Sequence, residues 1–275
     1  MKEPILVDKC DFSFTLQGEH IKLDYALITV HGTPGENGLL QGYLDLVGVP
    51  YNTGGTLTEA LTFNKYYCNR YLSTYPNLRV ADSIRLLRNG FRPSSEELIK
   101  RLGLPLFAKP NAGGSSVATS KVESLEALDK AVALAFDECD EVLLERFIAG
   151  TEVTCGCYRI GDTITALPVT EVVPKNSFFD FEAKYNGAVE EITPARISPE
   201  LTAQIQELTR EIYQHVDARG IIRVDYIIEA DGRPTLLEVN TTPGMTPTSF
   251  IPQQVKAAGL TMQDLLTDLI QDHLS

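Results

Sequence analysis

Two runs near the C-terminus, Ile221-Ile222-Arg223-Val224-Asp225-Tyr226-Ile227-Ile228-Glu229 and Thr235-Leu236-Leu237-Glu238-Val239-Asn240, flank the dipeptide Asp231-Gly232. Apolar runs joined through Asp-Gly read as a β-hairpin with a two-residue loop. That loop makes Ala230 face Arg233, Ile228 face Thr235, Asp225 face Glu238 and Arg223 face Asn240. Successive strand side chains point to opposite faces. Arg223, Asp225, Glu238 and Asn240 therefore share one face, and Val224, Tyr226, Leu237 and Val239 line an apolar face suited to a core.

The register sets two carboxylates directly opposite, with Cβ atoms roughly 5 Å apart. At an effective dielectric near 20 they repel by on the order of 3 kcal/mol. Arg223, diagonal to Glu238, offsets part of this, and a divalent cation would offset more. Oxygen-only ligands from Asp, Glu and Asn favour Mg²⁺ or Mn²⁺ over zinc, and such ions are usually shared with substrate phosphates. A surface salt-bridge ladder is the alternative. Metal is favoured because both strands read as too apolar for a sheet edge.

A length of 275 residues suggests about two domains. Hydrophobic residues at 43% and charged residues at 22% describe a globular chain able to bury a sizeable core. No apolar run approaches the roughly 20 residues of a membrane span, and Met1-Lys2-Glu3-Pro4 does not begin a signal peptide. Five cysteines without zinc-like spacing point to reduced thiols in the cytosol, with Cys155 and Cys157 as small packing residues. A net charge of −13 argues against nucleic acid as partner, although a few placed lysines suffice for a phosphate-bearing small ligand.

Asp24 to Val30 reads as a short strand ending in His31-Gly32-Thr33-Pro34-Gly35-Glu36-Asn37-Gly38, a loop with three glycines and a proline in eight residues. Leu39 to Val47 reads helical, with Leu39, Leu40, Tyr43, Leu44 and Val47 on one stripe. Thr58 is expected to cap a helix from Glu59 to about Leu72, and Ser95 a short helix that Gly103 ends. Strands follow over Leu104–Lys109 and Val142–Phe147, with a helix from Ser124 to about Phe136 between them. Glu152–Arg159 and Thr163–Val169 read as strands joined at Gly161-Asp162. Pro174–Pro194 reads as a polar, aromatic loop, Ser198-Pro199-Glu200 as a helix start, and Thr261–Leu274 as a closing amphipathic helix. Hairpins mixed with helices argue for α+β lobes rather than one parallel sheet.

Lys109-Pro110 leads into Gly113-Gly114-Ser115-Ser116, whose backbone N–H groups and hydroxyls suit a phosphate. Taken alone the loop reads as a flexible connection, and it is not a Walker A loop. The strand end Glu145-Arg146-Phe147-Ile148, with Glu152 beyond, offers backbone bonds to an adenine and carboxylates to a ribose, or an ordinary linker. Phe178-Phe179-Asp180-Phe181-Glu182-Ala183-Lys184-Tyr185 is aromatic enough to read as a lid.

Together these motifs resemble one family. The loop His31–Gly38 with Gln41-Gly42, Lys109-Pro110 with Gly114-Ser115-Ser116, Phe181-Glu182-Ala183-Lys184-Tyr185, Arg223-Val224-Asp225, and Glu238-Val239-Asn240-Thr241-Thr242-Pro243-Gly244-Met245-Thr246 match, in order, the D-alanine–D-alanine ligases of the ATP-grasp superfamily. The resemblance implies an ATP-grasp fold: two α+β lobes holding ATP between them (54–145 and 146–275), preceded by a truncated α/β N-terminal domain (1–53). It implies ATP-dependent joining of two D-alanines through an acyl phosphate, for peptidoglycan, in a cytoplasmic homodimer with no membrane partner.

By motif position, Lys65 and Lys109 should bind ATP phosphates, and Ser115 with Ser116 should close over the γ-phosphate. Glu145, Arg146, Ile148 and Glu152 should hold adenosine, Arg146 standing where the family often has lysine. Lys184 of the lid should reach the phosphate. Asp225, Glu238 and Asn240 should bind two Mg²⁺ or Mn²⁺ ions. Arg223 and the Gly244 N–H should stabilise the oxyanion. Ser249, beside Phe250, should hold the second substrate's carboxylate, with His31 near the first. Tyr185 favours D-alanine over D-lactate as second substrate.

Two departures are visible. Ala118 replaces a glycine usual after the Ser-Ser pair, which should stiffen that loop slightly. The family begins with a strand and glycine-rich loop whose glutamate binds the first D-alanine's amino group, and no such element lies in the roughly thirty residues before His31. Either the chain as given starts late or part of the first substrate pocket is lacking, while ATP and metal sites should survive. A D-Ala-D-Ser or D-Ala-D-lactate ligase and a nucleotide-binding remnant are the other readings.

Overall fold

The computed structural model describes residues 5–113, 117–174 and 189–274. The described chain opens with a hairpin, β1 (Phe14–Leu16) and β2 (Glu19–Ile21), followed by α1 (Leu39–Val47). The strand expected over Asp24–Val30 reduces to one parallel bridge, Ala26 to Tyr51, with the Ile28 N–H donating to Asn52 Oδ1 at 2.6 Å. The Ala26 N–H donates to the Pro50 carbonyl at 2.9 Å, and beyond it the Asn52 side chain, also donating to the Ile28 carbonyl at 3.2 Å, takes the place of a second backbone pair, so no ladder builds. On α1 only Leu44 of the expected stripe is fully buried, and Leu39 is exposed.

The single helix expected from Glu59 to Leu72 is two, α2 (Thr56–Phe63) and α3 (Lys65–Leu72). Asn64 interrupts them with extended backbone (φ −89°, ψ 97°), and its side chain caps α3 by accepting from the Tyr67 N–H. Thr58 caps neither: its hydroxyl donates to the Val216 carbonyl at 2.9 Å.

The smaller lobe comprises β3 (Ser83–Leu87), α4 (Ser95–Leu102), β4 (Leu106–Pro110), β5 (Ser120–Val122), α5 (Leu125–Glu138) and β6 (Glu141–Arg146). Its antiparallel sheet runs β3-β6-β4-β5. Leu98, Leu102, Leu128 and Val132 of the helices pack on Leu106, Ala108, Val142 and Leu144 of one face. Ser94, not Ser95, caps α4, completing a capping box with Glu97. The sequence reading misses β3, whose alternation is only five residues long.

The larger lobe comprises β7 (Thr151–Ile160), β8 (Thr163–Ala166), β9 (Thr170–Pro174), β10 (Val189–Ile192), α6 (Pro199–His215), β11 (Ile221–Ile228), β12 (Pro234–Asn240), α7 (Phe250–Ala257) and α8 (Met262–Leu274). Its sheet runs β10-β9-β7-β11-β12, with β8 also on β7. The strand expected to reach Val169 stops at Ala166, and β9 takes over the same edge of β7 further along. At the changeover the buried Gln254 of α7 accepts from the Gly156 N–H at 2.8 Å and donates to the Thr154 carbonyl and Thr170 Oγ1 at 3.0 Å. That clamp seats α7 on the sheet. The loop expected from Pro174 to Pro194 is strand at both ends, Val189 pairing with Pro174. Cys68 and Leu72 of α3, Ile205, Ile212 and Tyr213 of α6, and the inward side chains of β7, β11 and β12 form one core. All five cysteines are free, and Cys155 and Cys157 are fully buried.

The hairpin departs from the expected geometry twice, and the two departures cancel. Its loop has three residues, Ala230-Asp231-Gly232. Glu229 accepts from the Gly232 N–H at 2.9 Å and its own N–H donates to the Arg233 carbonyl at 3.1 Å, while Gly232 takes the left-handed conformation (φ 78°) such a loop requires. Ile228 therefore faces Pro234 rather than Thr235. A bulge beside Asp225 then inserts one residue in β12 and restores the register, so Asp225 faces Glu238 and Arg223 faces Asn240 as expected. Inside the bulge Leu236, not Leu237, fills the core beside Val224, Tyr226 and Val239. The expectation that neither strand is an edge fails for β12, which ends the sheet. Its outer side is covered by a parallel bridge from Val80 and by the Leu236 N–H bond to the Arg79 carbonyl at 2.8 Å.

Candidate functional site

Asp225 receives Arg223 through two prongs, Nε to Oδ1 and Nη2 to Oδ2, both 2.9 Å. Thr154 Oγ1, opposite it on β7, donates to Oδ1 at 2.6 Å, and Asn240 Nδ2 donates to Oδ2 at 3.2 Å. Burial works against the Arg223 charge, but Asp225, followed by Glu238 and Glu152, holds its pKa above the ordinary value. The guanidinium also lies 5.2 Å from the Phe250 ring centroid. Glu238 is met from the other side by Lys65, Nζ to Oε1 3.5 Å. The repulsion between the two acids is thus offset by one cation on each.

Lys65 owes its aim to the break between α2 and α3. The Lys65 and Tyr66 N–H groups donate to the carbonyl and side-chain oxygens of Asn111 at 3.0 and 2.8 Å. Asn111 Nδ2 in turn donates to Asn64 Oδ1 at 2.8 Å and Glu141 Oε2 at 2.6 Å. Held there, Lys65 Nζ donates to the Gly113 carbonyl at 2.7 Å, joining the Gly/Ser loop of the small lobe to the acid pair of the large one. Lys109 and Glu145 lie on the face of the small sheet away from α4 and α5, Nζ to Oε2 2.7 Å, and Asn69 of α3 reaches the other Glu145 oxygen at 3.4 Å. Glu145 is buried, with its carboxylate on Lys109. Arg146 stands 3.9 Å from Asp82, Ile148 is buried, and Glu152 faces Ile227 on β11. Ser115, Ser116, Lys184 and Tyr185 lie outside the described residues. Ala118 has φ 53°, a left-handed conformation that costs a non-glycine residue roughly 1–2 kcal/mol.

His31 is exposed, with Nδ1 3.8 Å from Glu36 Oε1. Burial raises the Glu36 pKa; the Gly32 N–H, His31 and Lys65 lower it and Glu238 raises it, so this loop borders the acid pair. At the far end of β12 the chain turns through Thr241-Thr242-Pro243 to Gly244. A Cβ on Gly244 would stand 2.8 Å from Ser249 Oγ, so a larger residue here would turn the Ser249 hydroxyl aside. Ser249 precedes α7, whose first N–H groups present partial positive charge beside Arg223 and Phe250.

Two carboxylates and an amide on one strand-pair face are hard oxygen donors, and that set fits Mg²⁺. Among the described residues no cluster of three or more His, Cys, Asp or Glu converges, so Asp225, Glu238 and Asn240 are the oxygen donors on offer at this face. The sequence reading gives no role to Thr154, Glu36 or Asn111. Thr154 was within reach of the period-two argument once β7 is laid beside β11; Asn111 acts through contacts remote in sequence and left no signal.

Residues 74–271 match the family model described as D-ala D-ala ligase C-terminus. A D-alanine–D-alanine ligase from Porphyromonas gingivalis is 65% identical over 269 residues, covering 98% of this chain and 81% of that protein. The chain belongs to the D-alanine–D-alanine ligase family. Among solved structures, D-alanyl-alanine synthetase A from Vibrio cholerae superposes with a TM-score of 0.86 at 25% identity, covering 98% of this chain and 82% of that one. The VanG D-Ala:D-Ser ligase from Enterococcus faecalis gives 0.84 at 33% identity, covering 98% and 79%. The two antiparallel lobes are thus the ATP-grasp fold, and the ligase is ADP-forming, joining two D-alanines in peptidoglycan synthesis at the expense of ATP.

Proposed function

We propose that this ligase transfers the ATP γ-phosphoryl group at the cluster of Asp225, Glu238, Asn240, Lys65 and Lys109. One D-alanine carboxylate oxygen attacks the γ-phosphorus and ADP leaves. The second D-alanine's amine then adds to the acyl phosphate carbon, and phosphate leaves from the tetrahedral intermediate. Positioned cations do most of this work, because the transition state spreads negative charge over phosphoryl oxygens. Lys65 and Lys109 hold the phosphates, with Ser115, Ser116 and Lys184 closing over them. Arg146, Ile148 and Glu152 hold adenosine, and Glu145 acts through Lys109. Two Mg²⁺ or Mn²⁺ ions, when bound by Asp225, Glu238 and Asn240, supply the remaining neutralisation.

Arg223 and the Gly244 N–H face the developing oxyanion, Ser249 and Phe250 hold the second D-alanine with Tyr185, and His31 lies near the first. Division at 1–53, 54–145 and 146–275, a cytoplasmic location and a homodimer belong to the same reading. Leu46 and Leu57, 88% and 80% exposed on α1 and α2, give a dimer apolar surface to bury.

The observation that carries the proposal is Asp225 opposite Glu238 with a cation on each. Glu238→Gln is expected to abolish turnover while leaving the circular dichroism spectrum unchanged. Wild-type rates in that variant would refute the metal assignment.

A further inference from the structure

Glu59 on α2 is fully buried, and nothing in the reaction above employs it. Thr241 Oγ1 donates to its Oε2 at 2.5 Å. Its Oε1 is buried against the Gly54 backbone, whose N–H is turned toward the carboxylate, and Oε1 of Gln41 and Oγ1 of Thr242 are buried without a hydrogen-bond partner among the described residues. An ionised carboxylate buried this deeply with no cation against it is costly even with two donors, so the acid is held neutral. Glu36 and Tyr51 are the titratable groups in electrostatic reach, and neither is cationic.

Thr241 directly follows Asn240, and Thr242 and Pro243, both buried, lead to Gly244. One hydrogen bond from α2 therefore grips the segment that carries an oxygen donor at one end and the oxyanion N–H at the other. In a dry interior such a bond is stronger than in water and holds its geometry.

We propose that Glu59 is a positioning residue of the ligase: as a neutral acid it holds the Thr241 hydroxyl and fixes the Asn240–Gly244 turn against α2. This rests on the roles given above to Asn240 and Gly244. Thr241→Val, Glu59→Ala, the pair combined and Glu59→Gln test it, each with kcat, both KM values and a thermal unfolding curve.

Thr241→Val should remain folded and lose about ten-fold or more in kcat, as sub-ångström misplacement does, while KM for ATP, set by Lys65 and Lys109, changes little. Glu59→Ala should match it, and the double variant should fall no further than either single change, because both delete one interaction. Glu59→Gln keeps an acceptor for Thr241 and should restore kcat to within about three-fold. Wild-type kcat in Thr241→Val overturns the proposal, even where Glu59→Ala fails to fold. Losses that multiply in the double variant, or a folded Glu59→Gln as impaired as Glu59→Ala, also overturn it. Inactive Glu238→Gln beside fully active Thr241→Val removes this inference alone; full activity in Glu238→Gln removes the metal reading first.

Discussion

Asp225 shows how much one side chain is asked to do: it takes a two-pronged guanidinium, a threonine hydroxyl and an amide at once. Its pairing with Glu238 was legible because strand alternation converts residue numbers into faces. Glu59 was not legible, since a glutamate in a helix carries no mark of whether it faces water or core. Burial raises its pKa from the ordinary 4.5 to about 8, with Thr241 and the Gly54 N–H lowering it and Glu36 raising it by less. The folded state thus keeps a proton that the unfolded chain releases. The stability this gives is full below about 4.5 and is lost as pH rises toward about 8. The unfolding midpoint of the wild type should therefore fall more steeply between these limits than that of Glu59→Gln. Parallel slopes would show that Glu59 does not titrate there.

Among elements, the hairpin was read correctly for a partly wrong reason. Asp-Gly suggests two loop residues; a third residue and a bulge shift the register in opposite senses, and between them Ile228 faces Pro234 and Leu236 takes the core place expected of Leu237. The α2–α3 break was missed because Asn64 does not disrupt the apolar periodicity, yet that break aims Lys65. Asn64→Ala removes a cap worth about 1 kcal/mol and the acceptor of Asn111. It should lower the unfolding temperature and raise KM for ATP by on the order of ten-fold, the scale expected when a binding group is misaimed. ATP titration of the folded variant checks this, and an unchanged KM would detach Asn64 from the placement of Lys65.

At the scale of the molecule, a net charge of −13 coexists with phosphate chemistry because its cations are local: Lys109 on the small sheet, Lys65 between the lobes, Arg223 on the large sheet. The α+β lobes were legible from hairpins mixed with helices, whereas β3, β9 and α7 were too short or too apolar on both faces to announce themselves. In the proposed reading Lys109 of the small lobe holds phosphates and the large lobe offers oxygens to a metal, so that a phosphoryl group passes from one lobe's ligand to a carboxylate on the other. D-alanine labelled with ¹⁸O in its carboxyl group follows that passage directly. Incubated with the ligase, ATP and Mg²⁺, it should deliver one labelled oxygen to the released phosphate for each dipeptide formed. Release of unlabelled phosphate would mean that water, not the carboxylate, takes the phosphoryl group, and would contradict the account.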